Sequence, residues 1–492
     1  MKNTTYLLLF VILFSACEGR TVRTKSEANP PNFVIFIADD VSWNDFACYG
    51  NQAVKTPNID ALAQTGIRFD RAYLTASSCS PSRVSIMTGR YPHNTGAPEL
   101  HMPLPEGIPT IGSQLQSAGY FTGASGKWHM GAAAKNGFDL VLDTDFGQGG
   151  EGRWSELVDS IPKDKPFFLW LAAIDAHRGW AENEFDDSTD LSKIEIPPYM
   201  RKDSVTRADL GAYFDEITRF DHYIGEITAQ LERNHQLDNT IIIVMADNGR
   251  PFPRDKTRLY DSGIQTPFIV AWAANNNIQS STTSDALLSV IDIAPTLSDL
   301  ADVAVSSTYQ GRSFAHLLTQ PNAEHRKYVF AEHNWHDYAA HGRMLRSKDH
   351  LYVENKMPQK RMSSAADVHS GDAFQSLVRA YQADALTAVQ KDNFIAPRAQ
   401  IEFYDCTSDP LQLHNLVDDS TYQEQITNMS TVLAAWKLAT GDHFPDYLTK
   451  DRYDFFTAES NAPDRHFLDI ERGEIVGDAN DAININAAGG EF

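Results

Sequence analysis

The segment that decides the fold is FVIFIADD, residues 33–40, an uninterrupted apolar run that ends in Asp39 and Asp40. A continuous apolar run of this length is typical of a strand that is buried on both faces of a parallel sheet. The residues that follow such a strand lie at the carboxyl edge of the sheet, where α/β proteins bind their ligands. The segment therefore predicts a buried strand that presents two carboxylates to a site at its end.

The same pattern returns further along the chain, separated by helical segments. Apolar runs at residues 167–174 and 240–246 are followed by polar residues, and residues 267–272 form another buried strand candidate. A helix is predicted to begin at Pro57, and residues 210–233 have the pattern of an amphipathic helix. Alternating strands and helices predict an α/β protein with a large, mostly parallel sheet flanked by helices.

The pattern changes after about residue 325. Residues 344–353 and 400–404 have the composition of strands, and residues 423–438 have that of a helix. These segments predict a smaller C-terminal α+β subdomain. The predicted divisions are a large domain at 31–325, the C-terminal subdomain at 326–465 and an acidic tail at 466–492.

The N-terminus has the pattern of an export signal. Lys2 precedes an apolar run at residues 6–14, which is too short to span a bilayer, and small residues stand before Cys17. We expect a lipoprotein-type signal peptide at 1–16, a lipid on Cys17 and a polar tether at 17–30. The predicted location is the cell surface or periplasm of a bacterium. A plain secretory signal and a soluble secreted protein remain the alternative, because Phe14 replaces the leucine that is usual there.

Charge and cysteine content narrow the partners. The 492-residue chain has a formal net charge of −23, which argues against nucleic acid or an anionic membrane surface as a partner. Membrane contact is expected only through a lipid on Cys17. The other cysteines are Cys48, Cys79 and Cys406, and we expect no disulfide framework. Whether Cys48 pairs with Cys406 stays open, because the sequence does not place their sulfurs together.

The chain contains one strong motif, CSPSR at residues 79–83, followed by VSIMTGR at residues 84–90. It resembles the signature C-x-P-S-R-x-x-x-(L/M)-T-G-R of the formylglycine-dependent type I sulfatases. The resemblance implies the alkaline-phosphatase-like sulfatase fold, with 31–325 as the catalytic domain. It also implies that a maturation enzyme oxidises Cys79 to 3-oxoalanine, called formylglycine, whose hydrate attacks sulfur.

The carboxylates at the predicted strand ends supply the ligands that this chemistry needs. Asp39 and Asp40 follow one strand, and Asp247 and Asn248 follow another. These are hard oxygen donors of the kind that Ca²⁺ prefers. In the sulfatase family these positions bind calcium together with an oxygen of formylglycine, so the resemblance assigns a calcium ion to them and to Cys79.

Further residues match sulfatase positions that contact the sulfate. Arg83 lies one helical turn after Cys79 and is expected to hold the diol in place. Lys127 and His129 match the G-K-W-H-x-G phrase of the family, where the lysine binds a sulfate oxygen and the histidine contacts the diol. His177 follows a predicted strand and is the expected acid for the leaving group or a contact of its sulfate.

The segment DNGRPFPRDKTRLY, residues 247–260, narrows the resemblance to N-sulfoglucosamine sulfohydrolase, the heparan N-sulfatase, and to related bacterial polysaccharide sulfatases. Lys256 falls where that enzyme has an arginine that contacts sulfate. Lysine keeps the charge but loses the planar fork of hydrogen-bond donors. His101, Arg178 and His336 lie in loops beside the motifs and are candidates for binding the sugar.

These observations predict a sulfatase that hydrolyses sulfate esters of a sulfated polysaccharide or its oligosaccharides. An algal polymer such as ulvan is slightly favoured, because the change at Lys256 leaves specificity for N-sulfate unsupported. Three alternatives remain: an N-sulfoglucosamine sulfohydrolase, a formylglycine phosphoester hydrolase, and a glycan-binding lipoprotein in which Cys79 is never modified. The ligand set of one calcium favours sulfate over the more highly charged phosphate.

Overall fold

A computed structural model describes residues 29–143, 149–180, 189–273, 278, 281–361, 363–463 and 469–475. The strands are β1 Asn32–Ala38, β2 Gly66–Tyr73, β3 Phe121–Gly126, β4 Leu140–Asp143, β5 Phe167–Ala172, β6 Thr240–Ala246, β7 Gln265–Trp272, β8 Thr282–Ser284, β9 Leu288–Ser289, β10 Val329–His333, β11 Gly342–Arg346, β12 His350–Asn355 and β13 Ile401–Asp405. The α-helices are α1 Pro57–Thr65, α2 Cys79–Thr88, α3 Ile111–Ser117, α4 Trp154–Asp159, α5 Ser204–Arg233, α6 Asp261–Ile264, α7 Ile293–Leu300, α8 Ala366–Ser370, α9 Asp372–Gln382 and α10 Gln423–Thr440.

The main sheet has the order β4-β3-β5-β1-β6-β7-β2-β8, with β9 beside β2. Strands β4, β3, β5, β1 and β6 run parallel to one another. Strand β1 lies between β5 and β6. Strand β7 runs against both β6 and β2. The sheet is therefore mostly parallel, as predicted, and the carboxyl ends of its central strands lie at one edge.

Strand β1 is buried on both faces, which explains its uninterrupted apolar sequence. Phe33, Ile35 and Ile37 belong to the core cluster on one face, together with apolar residues of α2, α3 and α7. Val34 and Phe36 belong to the cluster on the other face, which contains the apolar stripe of α5. Each fully buried side chain of this size contributes about 1.5–3 kcal/mol to folding. The strand ends are therefore held on a rigid platform.

The C-terminal part forms a second, antiparallel sheet in the order β10-β11-β12-β13. Phe330 and Tyr352 on one face pack against Leu433 and Trp436 of α10. The other face packs against apolar residues of β2 and the segment around α6 in the main domain. This confirms the predicted α+β subdomain and places its connecting loops beside the main sheet.

One local prediction was wrong in detail, and another left the direction of a strand open. Residues 344–353 do not form one strand, because Ser347 N–H donates to the carbonyl of His350 at 2.9 Å and turns β11 into β12. The predicted strand at 267–272 exists within β7, but it is antiparallel to its neighbours. Hydrophobic periodicity alone does not report the direction of a buried strand.

The predicted signal peptide at 1–16, Cys17 with most of its tether, and most of the acidic tail lie outside the described residues. In the described part of the chain, Cys48, Cys79 and Cys406 carry free thiols, so Cys48 and Cys406 are not paired. No helix in these ranges combines the length and apolar character that crossing a bilayer requires.

Candidate active site

The ends of the central strands are tied together by backbone hydrogen bonds. Asp39 N–H donates to the carbonyl of Asp175 at 2.7 Å, and Asp247 N–H donates to the carbonyl of Ala38 at 3.1 Å. Asp40 N–H donates to Oδ1 of Asp247 at 3.2 Å. The carboxylates that follow β1 and β6 are thus fixed side by side, as their positions in the sequence predicted.

Strand β3 ends in a glycine because another strand passes too close for any side chain. Gly126 has a φ of 93°, and a Cβ there would lie 1.9 Å from the carbonyl oxygen of Ala172. The next residue, Lys127, donates its N–H to that same carbonyl at 2.8 Å. The tight turn lets the chain carry Lys127 and His129 into the site.

Three buried residues form what we call the inner acidic group: Asp39, Cys79 and Asp247. Their ligand atoms all lie within 4.8 Å of one another. Oδ1 of Asp39 and Oδ1 of Asn248 are buried and have no hydrogen-bond partner among the described residues. Because buried polar atoms are normally paired, these oxygens are open for a cation. Hard oxygen donors of this kind fit a divalent cation such as Ca²⁺.

Asp40 lies next to the inner acidic group and contacts both Cys79 and Asn248. Sγ of Cys79 is 3.8 Å from Oδ1 of Asp40, and Nδ2 of Asn248 donates to the same oxygen. Cys79 is 2% exposed and is the first residue of α2. Burial, followed by the charge of Asp39, raises the pKa of the Cys79 thiol well above its ordinary value. The thiol is therefore protonated in this environment.

Two cations, the buried Arg83 and the partly buried Lys127, neutralise the inner acidic group. Nε of Arg83 donates to Oδ2 of Asp247 at 2.6 Å, and its NH1 donates to the carbonyl of Lys127 at 2.7 Å. Nζ of Lys127 donates to Oδ2 of Asp39. Burial works to lower the pKa of Lys127, but the adjacent Asp39 outweighs it and the pKa is raised. Both side chains therefore keep their charge.

A second set of residues, which we call the outer acidic group, consists of Asp40, His177 and Asp367. Nζ of Lys256 joins its two carboxylates, donating to Asp40 at 2.7 Å and to Asp367 at 2.9 Å. Nε2 of His177 lies 3.5 Å from Oδ2 of Asp367. Burial opposes the charge on Lys256, but Asp367 and Asp40 raise its pKa well above the ordinary value.

Asp367 is the site residue that the sequence analysis missed. It lies in the short helix α8 of the C-terminal part, 111 residues after its partner Lys256. No motif surrounds it, and its position becomes apparent only when the second sheet packs on the first. An acidic residue in the first turn of a helix is common and gave no signal of its own.

The predicted histidines lie around these groups. Nδ1 of His101 is 2.7 Å from Nε2 of His129, and Nδ1 of His336 is 2.7 Å from Oγ of Ser78. Burial and then Lys256 lower the pKa of His336 well below its ordinary value. Asp40, His101 and His129 have φ values of 63°, 64° and 55°. Left-handed residues other than glycine are strained and cluster at functional sites.

Arg178 contacts neither the inner nor the outer acidic group. Its guanidinium donates to both carboxylate oxygens of Asp209, at 2.9 and 2.8 Å, and its Nε donates to the carbonyl of Pro251 at 2.9 Å. It also lies over the rings of Trp180 and Phe252, at 4.9 and 4.7 Å from the ring centroids. The side chain predicted to bind substrate instead braces the loop that carries His177.

This combination of sheet, cysteine motif and strand-end carboxylates defines a class of hydrolase. A family model described as "Sulfatase" matches residues 31–303, which is more than half of the chain. The chain belongs to the sulfatase family and is an enzyme that hydrolyses sulfate esters. A second model, described as "N-sulphoglucosamine sulphohydrolase, C-terminal", matches residues 252–356.

Two relatives extend over most of the chain. An ulvan-active sulfatase of Formosa agariphila is 26% identical over 89% of this chain and 82% of its own length. The N-sulphoglucosamine sulphohydrolase of Homo sapiens is 28% identical over 87% of this chain and 94% of its own length. These matches confirm the predicted resemblance to heparan N-sulfatase and to bacterial polysaccharide sulfatases.

A solved structure confirms the fold. It is titled as a complex with its substrate D-glucosamine-2-N,6-O-disulfate, and it aligns with a TM-score of 0.65 at 20% identity. The alignment covers 83% of this chain and 98% of that one. The protein therefore has the alkaline-phosphatase-like sulfatase fold that the sequence predicted.

Proposed function

We propose that this sulfatase removes sulfate from a sulfated polysaccharide or its oligosaccharides, with formylglycine at position 79 and one calcium ion. One observation carries the proposal: the side chain of Cys79 lies close to two aspartates that are each paired with a different lysine. Asp39 is paired with Lys127, and Asp40 is paired with Lys256. A tetrahedral anion held beside position 79 would meet a lysine on either side.

Calcium would be held by Asp39, Asp40, Asp247 and Asn248, together with the modified side chain at position 79. The open oxygens of Asp39 and Asn248 support this assignment. Bound there, calcium would polarise a sulfate oxygen and favour ionisation of the nucleophile. The chain itself orients these ligands, because Arg83 fixes Asp247 and Lys127 fixes Asp39.

Maturation of Cys79 would supply a hydroxyl nucleophile for sulfur, which the protonated thiol of this structure does not offer. The protein provides a rigid place for it at the start of α2. Oγ of the adjacent Ser80 accepts from the N–H of His101 at 2.7 Å, and Arg83 lies one turn further on. A maturation enzyme that oxidises Cys79 is therefore an expected partner.

Charge favours sulfate over phosphate. The charged side chains are four carboxylates and three cations: Asp39, Asp40, Asp247, Asp367, Arg83, Lys127 and Lys256. The carboxylate ligands among them suit one calcium ion, which favours the singly charged sulfate monoester over the more highly charged phosphate.

His177 is the proposed acid for the leaving oxygen. Its Nδ1 lies 3.0 Å from the carbonyl of Arg178, and its Nε2 faces Asp367 at 3.5 Å. These two contacts orient the imidazole, and a general acid must lie within reach of the oxygen that it protonates. Its side chain is 31% exposed, so a bulky leaving group can reach it.

We favour an O-sulfated algal carbohydrate as the substrate, with N-sulfoglucosamine as the second candidate. The ulvan-active relative supports the first, and the family model over residues 252–356 supports the second. Lys256 donates to two carboxylates from a single ammonium group. It therefore does not provide the planar pair of hydrogen-bond donors that an arginine offers, which weighs against specificity for N-sulfate.

We also propose that the protein is exported and anchored at the bacterial surface or in the periplasm by a lipid on Cys17. The pattern of residues 1–17 supports this. A surface enzyme would meet sulfated polymers before their import. A Cys17→Ser variant is expected to move from the membrane fraction to the soluble fraction, detected by immunoblotting. Equal membrane retention of both forms would contradict the anchor.

The test is inorganic sulfate release by the matured protein from defined O-sulfated algal and N-sulfated glucosamine oligosaccharides. Mass spectrometry confirms the aldehyde at position 79, and assays run with calcium and with chelator beside Cys79→Ala. We expect calcium-dependent release from an O-sulfated member that is lost in Cys79→Ala. Release only from N-sulfated members selects the second candidate, and faster turnover of an aryl phosphate than an aryl sulfate contradicts the proposal.

A further inference from the structure

Two histidines of the pocket are hydrogen-bonded directly to each other. Nδ1 of His101 lies 2.7 Å from Nε2 of His129, and their rings are 4.8 Å apart at 42°. Burial lowers the pKa of His101 to about 3, and burial with the charge of Lys127 lowers that of His129 well below normal. Both rings are therefore neutral, and a single proton lies between the two nitrogens.

The proton can belong to either ring, and the surroundings favour His129. Nδ1 of His129 is buried and has no hydrogen-bond partner among the described residues. The charges that act on this ring include those of Lys127 and Arg83. A lone pair is more stable than an N–H group among cations. His129 therefore carries its proton on Nε2 and donates it to His101, which leaves Nδ1 as an acceptor.

The two rings differ in their access to solvent. Nδ1 of His129 is buried, whereas His101 is partly exposed. The backbone N–H of His101 donates to Oγ of Ser80, the residue after Cys79. The charges of Lys127, Arg83 and His177 act on the His129 ring, so the His129 end of the pair belongs to the pocket and the His101 end lies towards the surface.

We propose that His101 and His129 form a proton relay between the reaction pocket and solvent, with His101 as the outer member. This inference rests on the proposed function, which places a hydroxyl nucleophile at position 79. In the relay, Nδ1 of His129 accepts a proton from a hydroxyl in the pocket. Nε2–H of His129 passes its proton to Nδ1 of His101, and Nε2–H of His101 releases one proton to water.

The relay conserves protons and charge on the two rings. One proton enters at His129, one moves between the rings and one leaves from His101, so each ring ends neutral with its proton on the opposite nitrogen. The two rings regain their starting tautomers when the protons move back along the same path. Neither ring has to hold a charge among the cations of the pocket, which explains how histidines with strongly lowered pKa values can still move protons.

Two substitutions separate a relay from simple positioning. His101→Asn places an amide where Nδ1 was, and asparagine tolerates the left-handed φ of 64° at this position. It keeps a hydrogen bond to His129 but cannot pass a proton. His101→Ala removes both the hydrogen bond to His129 and the ability to pass a proton. His325→Asn is the matched control, because His325 is a buried histidine that contacts Asp292 at 3.1 Å outside the pocket.

We expect both His101 variants to lower kcat by about 10- to 100-fold, since a positioned proton transfer contributes 10²–10⁴-fold to catalysis. His325→Asn should keep the wild-type kcat. In mixtures of H₂O and D₂O, the wild-type rate should depend on the deuterium fraction with the curvature of three moving protons, and His101→Asn should lose this curvature. If His101→Asn keeps the wild-type kcat while His101→Ala loses it, His101 only positions His129 and the relay is wrong.

A second measurement does not depend on turnover. Nitrogen-15 NMR of the unmodified protein, labelled at histidine, reports which ring nitrogens of His101 and His129 carry protons. We expect the Nε2–H form of His129 and a coupling across the hydrogen bond to Nδ1 of His101. The Nδ1–H form of His129, or no coupling, would overturn the relay even in an active enzyme. If the relay signature is present but no sulfate is released, the proposed function fails instead.

Discussion

The inner and outer acidic groups lie side by side but differ in burial and in origin. The side chains of Asp39 and Asp247 in the inner group are completely buried, and both follow strands of the main sheet. In the outer group the side chains of His177 and Asp367 are 31% and 21% exposed, and Asp367 comes from the C-terminal part. The inner group, together with the fully buried Asp40 of the outer group, is suited to a dehydrated cation, whereas His177 and Asp367 are suited to a substrate that enters and leaves.

The largest expected effect comes from breaking the inner group. Asp247→Asn removes a charged ligand and the partner of Arg83, so kcat/KM should fall by about 10³-fold or more, because a bound metal contributes several kcal/mol to the transition state. Assays at saturating calcium measure this. The control is Asp221→Asn, another buried carboxylate, which accepts from Ile59 N–H at 2.7 Å away from the pocket. A fall of similar size in the control would show that the loss is structural.

Substitution of the lysine shared by Asp40 and Asp367 tests the outer group. Lys256→Met should lower kcat/KM by about 10²–10³-fold, the usual cost of removing one donor to a developing charge. Lys256→Arg keeps the charge and should stay within about tenfold of wild type. Steady-state kinetics on the preferred oligosaccharide measure both. Equal losses in the two variants would contradict a role based on charge.

Asp367→Asn should have a smaller effect, and one confined to the outer group. Without this carboxylate the His177 ring loses the partner that faces its Nε2, so the ring is less well oriented and kcat/KM should fall by about tenfold. Stabilisation by calcium should remain as in wild type, measured as the shift of Tm on adding calcium. Loss of the calcium response in this variant would mean that the two groups are not separate.

Arg178→Met should have the smallest effect on turnover, because the structure places this side chain outside both groups. We expect kcat/KM within about twofold of wild type. The free energy of unfolding should fall by about 3 kcal/mol, because Asp209 is left buried without its partner. Urea unfolding and kinetics on the same preparation check this. A large rise in KM with unchanged stability would restore the original prediction that Arg178 binds substrate.

The comparison also explains how much the sequence could predict. The inner group was predicted because Asp39 and Asp247 directly follow apolar runs, and the carboxyl ends of parallel strands meet at one edge. The motif at residues 79–83 indicated that Cys79 stands at the start of a helix, which is α2 in the structure. Both signals are local, so they can be found without knowledge of tertiary structure.

The outer group could be predicted only in part. Lys256 and His177 lie in segments that resemble sulfatase motifs, but Asp367 lies in a short helix without any motif. The contact between His101 and His129 depends on two left-handed residues in separate loops. Such contacts arise from packing between distant segments. The reversed direction of β7 likewise depends on how the strands pack, because its apolar run is the same in either direction.

The most direct test of this account is the calcium content of the unmodified protein after gel filtration, measured by inductively coupled plasma mass spectrometry. We predict about one calcium ion per chain in wild type and in Asp367→Asn, and almost none in Asp247→Asn, because a hard cation needs the inner carboxylates. A wild-type chain without calcium, or an Asp367→Asn chain that loses calcium while Asp247→Asn keeps it, would contradict the assignment of the metal to the inner group.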